Sequence, residues 1–185
     1  MLGLRRYKKT QIDIWQGDIL AFAVDAMISP TDASPLKDAL ILAAGPEALK
    51  AWREGHNSAG GGAFITTAGS LPATHIIHAP CEIGAKDDSD QGALLRDALY
   101  DAFLTAESLS PCHVSCPGVP LAAQLLLSHQ EIAEIYFSEL KKFLEEPPSR
   151  DLRRVTFVAN DATMYDILQH HLFLRFSDEL DEEGF

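Results

Sequence analysis

The sequence predicts an α/β fold, a three-layer α/β/α sandwich with a central mixed, mostly parallel sheet, and two observations carry that expectation. Short apolar runs bounded by turn residues alternate with amphipathic stretches, the pattern of a sheet covered on both faces. The runs are continuous rather than alternating, as in strands buried on both sides. With 185 residues, 46% of them hydrophobic, the chain has the size of one domain and enough apolar material for a single core. We expect that domain over residues 1–176 and an acidic tail over 177–185.

Taken in order, the basic cluster Arg5-Arg6-Tyr7-Lys8-Lys9 reads as a solvated approach to a first strand over 12–15. A second strand is expected over 26–28, then a helix from near Leu36. His56-Asn57 read as loop before the glycines Gly61-Gly62, whose backbone freedom suits the start of a strand over 63–66. Ala68-Gly69 and the corner Leu71-Pro72 turn the chain into a strand over 75–79. After a polar loop over 86–92, Leu94, Leu95, Ala98, Leu99, Ala102, Phe103 and Ala106 repeat at the spacing of one buried helix face. A strand over 113–116 follows. Ile132, Ile135, Tyr136, Leu140, Phe143 and Leu144 mark another helix, with Glu139 interrupting its stripe and Lys141 four residues before Glu145, in reach of a pair. Residues 145–149 connect to a last strand over 155–159, and a helix from about 162 to 171 closes the domain.

Charge and composition exclude several functions. A formal net charge of −12 opposes nonspecific binding to DNA or RNA, whose affinity comes from neutralising phosphates. It also repels an anionic ligand at long range unless local donors compensate. No apolar run approaches the roughly 20 residues needed to span a bilayer, and the N-terminus lacks the apolar core of a signal peptide. We expect a cytoplasmic protein without nucleic-acid or membrane partners. Cys81, Cys112 and Cys116 are an odd number and do not suggest a disulfide framework. Cys112-His113-x-x-Cys116 lacks the second ligand pair of a closed zinc site, and strand alternation turns His113 away from both thiols. The same alternation separates His75 from His78. We expect buried core thiols, no metal and no cofactor.

An ordered set of motifs resembles one known family of α/β proteins. Gly17-Asp18-Ile19 after Ile12-Asp13-Ile14-Trp15 is similar to the Gly-Asp-Ile that ends the family's first core strand. Val24-Asp25-Ala26-Met27-Ile28 resembles the strand leading into the family's Asn-Ala-Ala-Asn, which here reads Ser29-Pro30-Thr31-Asp32. Ala43-Ala44-Gly45-Pro46-Glu47 looks like the family's helix end, and Val155-Thr156-Phe157-Val158 like its last core strand. The set resembles the macrodomain family, whose members use this fold to bind ADP-ribose, and the resemblance runs from near the start to about Asp161. Two departures stand out. Relatives carry a glycine run where this chain has Ala33-Ser34-Pro35, and a Thr/Gly-rich loop where it has Gly118-Val119-Pro120 followed by Leu121-Ala122-Ala123-Gln124-Leu125. Both loops clasp phosphate in the family.

In an open α/β sheet, ligands settle beyond the C-terminal ends of the strands. Asp18, Ser29 to Asp32, Pro117 to Val119 and Asn160-Asp161 fall at such ends. Asp18 matches the residue that accepts the adenine amine in relatives, with Ile19 beside it; it also suits a cap for the turn Ile19-Leu20-Ala21. Asn160 and Asp161 match residues lining the adenine pocket and equally suit the cap of the last helix. Asp32 stands where relatives carry the Asn that orients the distal ribose. As an ionised carboxylate it only accepts hydrogen bonds, so it is the candidate catalytic base or, alternatively, a helix cap. The resemblance thus implies a protein binding ADP-ribose or a related adenine nucleotide at Asp18, Ile19, Ser29, Asp32, Pro117, Gly118, Val119, Asn160 and Asp161, with weak ADP-ribosyl hydrolase or O-acetyl-ADP-ribose deacetylase activity if active. The altered loops leave the alternative of a module that has lost its ligand and engages a protein partner.

Overall fold

A computed structural model describes residues 4–29, 35–81, 91–109, 112–118, 127–146 and 152–176. The chain runs β1 (Leu4–Tyr7), β2 (Thr10–Gln16), a 3₁₀ turn (Ile19–Ala21), β3 (Val24–Ser29), α1 (Pro35–Ala44), α2 (Pro46–Ser58), β4 (Phe64–Thr67) and β5 (Ala73–His78). It continues through α3 (Gln91–Glu107), β6 (Cys112–Pro117), α4 (His129–Glu145), β7 (Leu152–Ala159) and α5 (Ala162–Arg175). The strands form one sheet in the order β1-β2-β7-β6-β3-β5-β4. The five central strands are parallel, and β1 and β4 add antiparallel edges. The expected mixed, mostly parallel sheet is observed.

Strand register sorts the side chains onto two unlike faces. Ile12, Ile14, Val114, Cys116, Val155, Phe157, Ala26, Ile28 and Ile77 point to one side and join the buried residues of α3, α4 and α5 in the main core. On the other side Met27 and Ile76 pack with Leu40, Ala44 and Ala48 of α1 and α2. That second layer covers only the half of the sheet near β3 and β5. Over β2, β7 and β6 the face carries Asp13, Thr156, Ser115 and His113, and Phe22 from the connection between β2 and β3 stands edge-on to His113 at 5.9 Å.

The polar half is tied together across strands. Thr156 Oγ1 donates to Asp13 Oδ1 at 2.5 Å and lies 2.9 Å from His113 Nε2. Since the carboxylate only accepts, the hydroxyl proton is spent there, and His113 Nε2–H is the donor to Thr156. Arg154 Nε donates to Asp13 Oδ2 at 3.0 Å. Burial first, then the Arg154 guanidinium, holds the His113 pKa below the usual histidine range, so the ring is neutral at pH 7.

Two elements escaped the sequence reading. The basic approach expected to be solvated is strand β1; four residues in the order Leu-Arg-Arg-Tyr carry too little pattern to mark a strand. α2 was read in part as loop; it is polar, and His56 and Asn57 belong to its last turn. Gly45-Pro46 both ends α1 and starts α2, because proline's fixed φ and missing N–H suit the first helical position. α3 begins at Gln91, so the end of the expected 86–92 loop is helical, while 86–90 and the 177–185 tail lie outside the described residues.

Glu139 is not a flaw in the α4 stripe. It is 6% exposed and faces α3, where Arg96 Nη1 donates to its Oε1 at 3.1 Å, with Lys142 Nζ 3.7 Å from Oε2. A buried carboxylate is tolerated only when partnered. The expected Lys141–Glu145 pair is present at 4.0 Å. Arg96→Ala should therefore destabilise the protein by about 1–2 kcal/mol in urea unfolding, and adding Glu139→Leu should recover most of the loss; equal stability of Arg96→Ala and wild type would show that the pair does not hold α3 to α4.

Candidate functional site

Two backbone hydrogen bonds assemble the C-terminal edge of the sheet. Gly17 N–H donates to Ala159 O at 2.8 Å, and Gly118 N–H donates to Val158 O at 2.6 Å. The segments leaving β2 and β6 are thereby fastened to the end of β7 between them. Asp18 and Ile19, Pro117 and Gly118, and Asn160 and Asp161 gather along this edge. Gly118 is required by packing: a Cβ there would lie 2.8 Å from Val158 O and about as close to Leu168 and Met164 of α5. Any side chain would push the β6 end and α5 apart.

The sequence-predicted residues that the structure describes have definite places. Asp18 is exposed and caps the 3₁₀ turn, its Oδ1 accepting from Leu20 N–H at 2.9 Å. Its other oxygen has no partner among the described residues. Ile19 is 7% exposed. Asp161 caps α5, Oδ1 accepting from Met164 N–H at 2.8 Å, while Asn160 is exposed. Pro117 and Gly118 are buried.

Ser29 closes β3 one strand further along. It is buried, and its Oγ has no hydrogen-bond partner among the described residues, so it carries unspent bonding capacity next to the crevice. Ala79 N–H donates to Ser29 O at 2.9 Å, fixing the end of β5 to the end of β3. Asp32 and Val119 lie outside the described residues.

The remaining reactive side chains have structural roles. His78 is buried, stacks on Phe64 at 4.9 Å and meets Thr66 Oγ1 at 2.9 Å through Nε2. The three cysteines are free and buried. Burial pushes the Cys112 thiol up to about 11 and raises that of Cys116 further, so neither is a thiolate nucleophile at pH 7. Among the described residues no three His, Cys, Asp or Glu side chains converge as metal ligands, and no helix is long and apolar enough to cross a membrane.

Sequence reasoning did not find the Asp13–Thr156–His113 layer that underlies this edge. Its one signal was polar residues inside otherwise apolar strands, Asp13 in Ile-Asp-Ile-Trp and Thr156 in Val-Thr-Phe-Val.

Comparison with known proteins agrees with this architecture. The family model for the macro domain matches residues 32–124. The O-acetyl-ADP-ribose deacetylase of Citrobacter koseri is 33% identical over 124 residues, 62% of this chain and 70% of the relative. The structure of the Oceanobacillus iheyensis macrodomain with ADP superposes with a TM-score of 0.81 at 23% identity, covering 95% of this chain and 97% of that one. The Trypanosoma brucei macrodomain in complex with ADP gives a TM-score of 0.69 at 19% identity over 87% of this chain and 68% of its own. The chain belongs to the macro domain family.

Proposed function

We propose that the crevice beyond the C-terminal ends of β2, β7 and β6 binds ADP-ribose or a related adenine nucleotide, with adenine against Asp18. The observation that carries this reading is the unspent carboxylate oxygen of Asp18, exposed at an edge that the Gly17 and Gly118 hydrogen bonds pull together. Capping uses one oxygen and leaves the other to accept an exocyclic amine, so the two roles are compatible. Ile19 supplies apolar surface, Asn160 and Asp161 border the ring, and Ser29, Pro117 and Gly118 line the path toward the phosphates, with Val119 next in sequence. The names of the relatives, an O-acetyl-ADP-ribose deacetylase and ADP-bound macrodomains, support the ligand class. No cofactor enters this reading. Free buried thiols fit a reducing compartment, and we place the protein in the cytoplasm.

Affinity is modest on this account. Backbone N–H groups in glycine loops are the cheapest phosphate donors, and Ala33-Ser34-Pro35 and the apolar run after Gly118 supply fewer of them in a chain of net charge −12. Asp18→Asn separates capping from recognition. The amide oxygen still caps the turn, since Asn is as good an N-cap as Asp, but the amide nitrogen then opposes the adenine amine, donor to donor. ADP-ribose titration should show binding weakened by tenfold or more in Asp18→Asn with an unchanged melting temperature. Equal affinity in wild type and variant would remove Asp18 from the site.

The deacetylase relative favours a second, catalytic reading in which Asp32 accepts a proton from an attacking water. Asp32→Ala should then abolish turnover of an ADP-ribosylated or O-acetylated ADP-ribose substrate while leaving ADP-ribose affinity within about threefold. Turnover surviving in that variant would eliminate Asp32 as the base.

A further inference from the structure

The basic segment that the sequence presents as solvated is the edge of the sheet. β1 pairs with β2 on one side, and among the described residues nothing pairs with the other. An unpaired edge offers main-chain N–H and C=O groups to any extended segment. Alongside runs the solvent face of α5, with a groove of about 440 Å³ lined by Asp166, Gln169, His170, Phe173 and Leu174. Phe173 and Leu174 are 50% and 62% exposed. β1 and this face are joined: the Arg5 guanidinium lies 4.4 Å over the Phe173 ring, and Tyr7 meets Phe176 edge-on at 5.1 Å.

Alternation along β1 divides what an added strand would meet. Arg5 and Tyr7 point toward α5, as those contacts show, so Leu4 and Arg6 point the other way. One row of an incoming strand's side chains would fall toward Phe173 and Leu174, and the other would stand beside Leu4 and Arg6. The first row must be apolar to cover exposed rings and methyls. Charge decides the second row. Arg6 and Lys9 are exposed at this edge, whereas Lys8 is committed to Leu144 O at 2.7 Å.

A second copy presenting its own β1 would set these cations against their like, which is unfavourable directly across a strand pair. An acidic segment meets the exposed cations of Arg6 and Lys9 on a chain whose net charge of −12 is otherwise unfavourable to it. Among the described residues lining the groove Asp166 is the one carboxylate, two helical turns from Phe173.

We propose that the outer edge of β1, together with the Phe173–Leu174 end of the α5 groove, is a docking site for an extended segment of a partner protein in which acidic and apolar residues alternate. It would add an eighth strand to the seven-stranded sheet by main-chain pairing, the apolar row on α5 and the acidic row at Arg6 and Lys9. This surface lies away from the nucleotide crevice and does not depend on that reading. With only four residues of edge, the interaction is weak and salt-dependent.

Fluorescence polarisation of a labelled Glu-Leu-Glu-Phe-Glu-Leu-Glu peptide against the full chain tests it. Saturable binding is expected at low salt, weakened tenfold or more by Arg6→Glu and by Phe173→Ser, both exposed positions where the fold should be retained and can be checked by circular dichroism. The same peptide N-methylated at alternate amides keeps its charge and should not bind. Three results would overturn the proposal: no saturation at millimolar protein, equal binding of the N-methylated or a scrambled peptide, or a concentration-dependent dimer in sedimentation that Phe173→Ser abolishes. The last would assign the edge to a second copy.

Discussion

The two hydrogen bonds from Gly17 and Gly118 to the last carbonyls of β7 are the constraint on which the crevice depends. Parallel strands do not by themselves align the loops that follow them; each loop is free to leave in its own direction. Here the segments after β2 and β6 are clasped to the strand between them, and Asp18, Gly118 and Asn160 share one edge as a result. The clasp in turn requires that Gly118 have no side chain, because α5 and the end of β7 leave no room for a Cβ. The geometry of this edge is therefore set by packing of the main core, through α5, rather than by the exposed residues along it.

The sheet supports this edge unevenly. One face is a continuous apolar core under three helices, and the other is half apolar under α1 and α2 and half polar over β2, β7 and β6. The polar half is held by a chain of donors and acceptors that leaves His113 neutral and Asp13 paired with Arg154. Satisfied buried networks of this kind fix register, and register is what carries Asp18 from β2 to its place beside the end of β7. Asp13 and Thr156 lie in the middle of β2 and β7, so they act on the crevice through strand alignment.

Most of the architecture was legible because the signals are long and redundant. Seven apolar positions at helical spacing identify α3, and continuous apolar runs identify the five parallel strands. What was not legible had short or mixed signals. β1 alternates in only four residues, two of them arginine, and its strand character comes from pairing with β2. α2 is polar along most of its length and is held by the few residues that touch β4 and α1. Glu139 breaks an apolar stripe in the sequence and completes an ion pair in space, a contact 43 residues away at Arg96 that no local pattern encodes. At the site, the sequence correctly set Asp18 and Asp161 at capping positions, but a cap and a ligand contact demand the same carboxylate at the same strand end. Only the count of unused oxygen atoms separates them, and that count is a property of the folded structure.

On the proposed reading the adenine end of the crevice is intact while the phosphate end is reduced. Calorimetric titration of the folded protein with ADP-ribose, AMP and ribose 5-phosphate tests it most directly. The account predicts that AMP retains the larger part of the ADP-ribose binding free energy and that ribose 5-phosphate gives little heat. Ribose 5-phosphate binding as tightly as AMP, or no heat from any of the three at millimolar concentration, would contradict it.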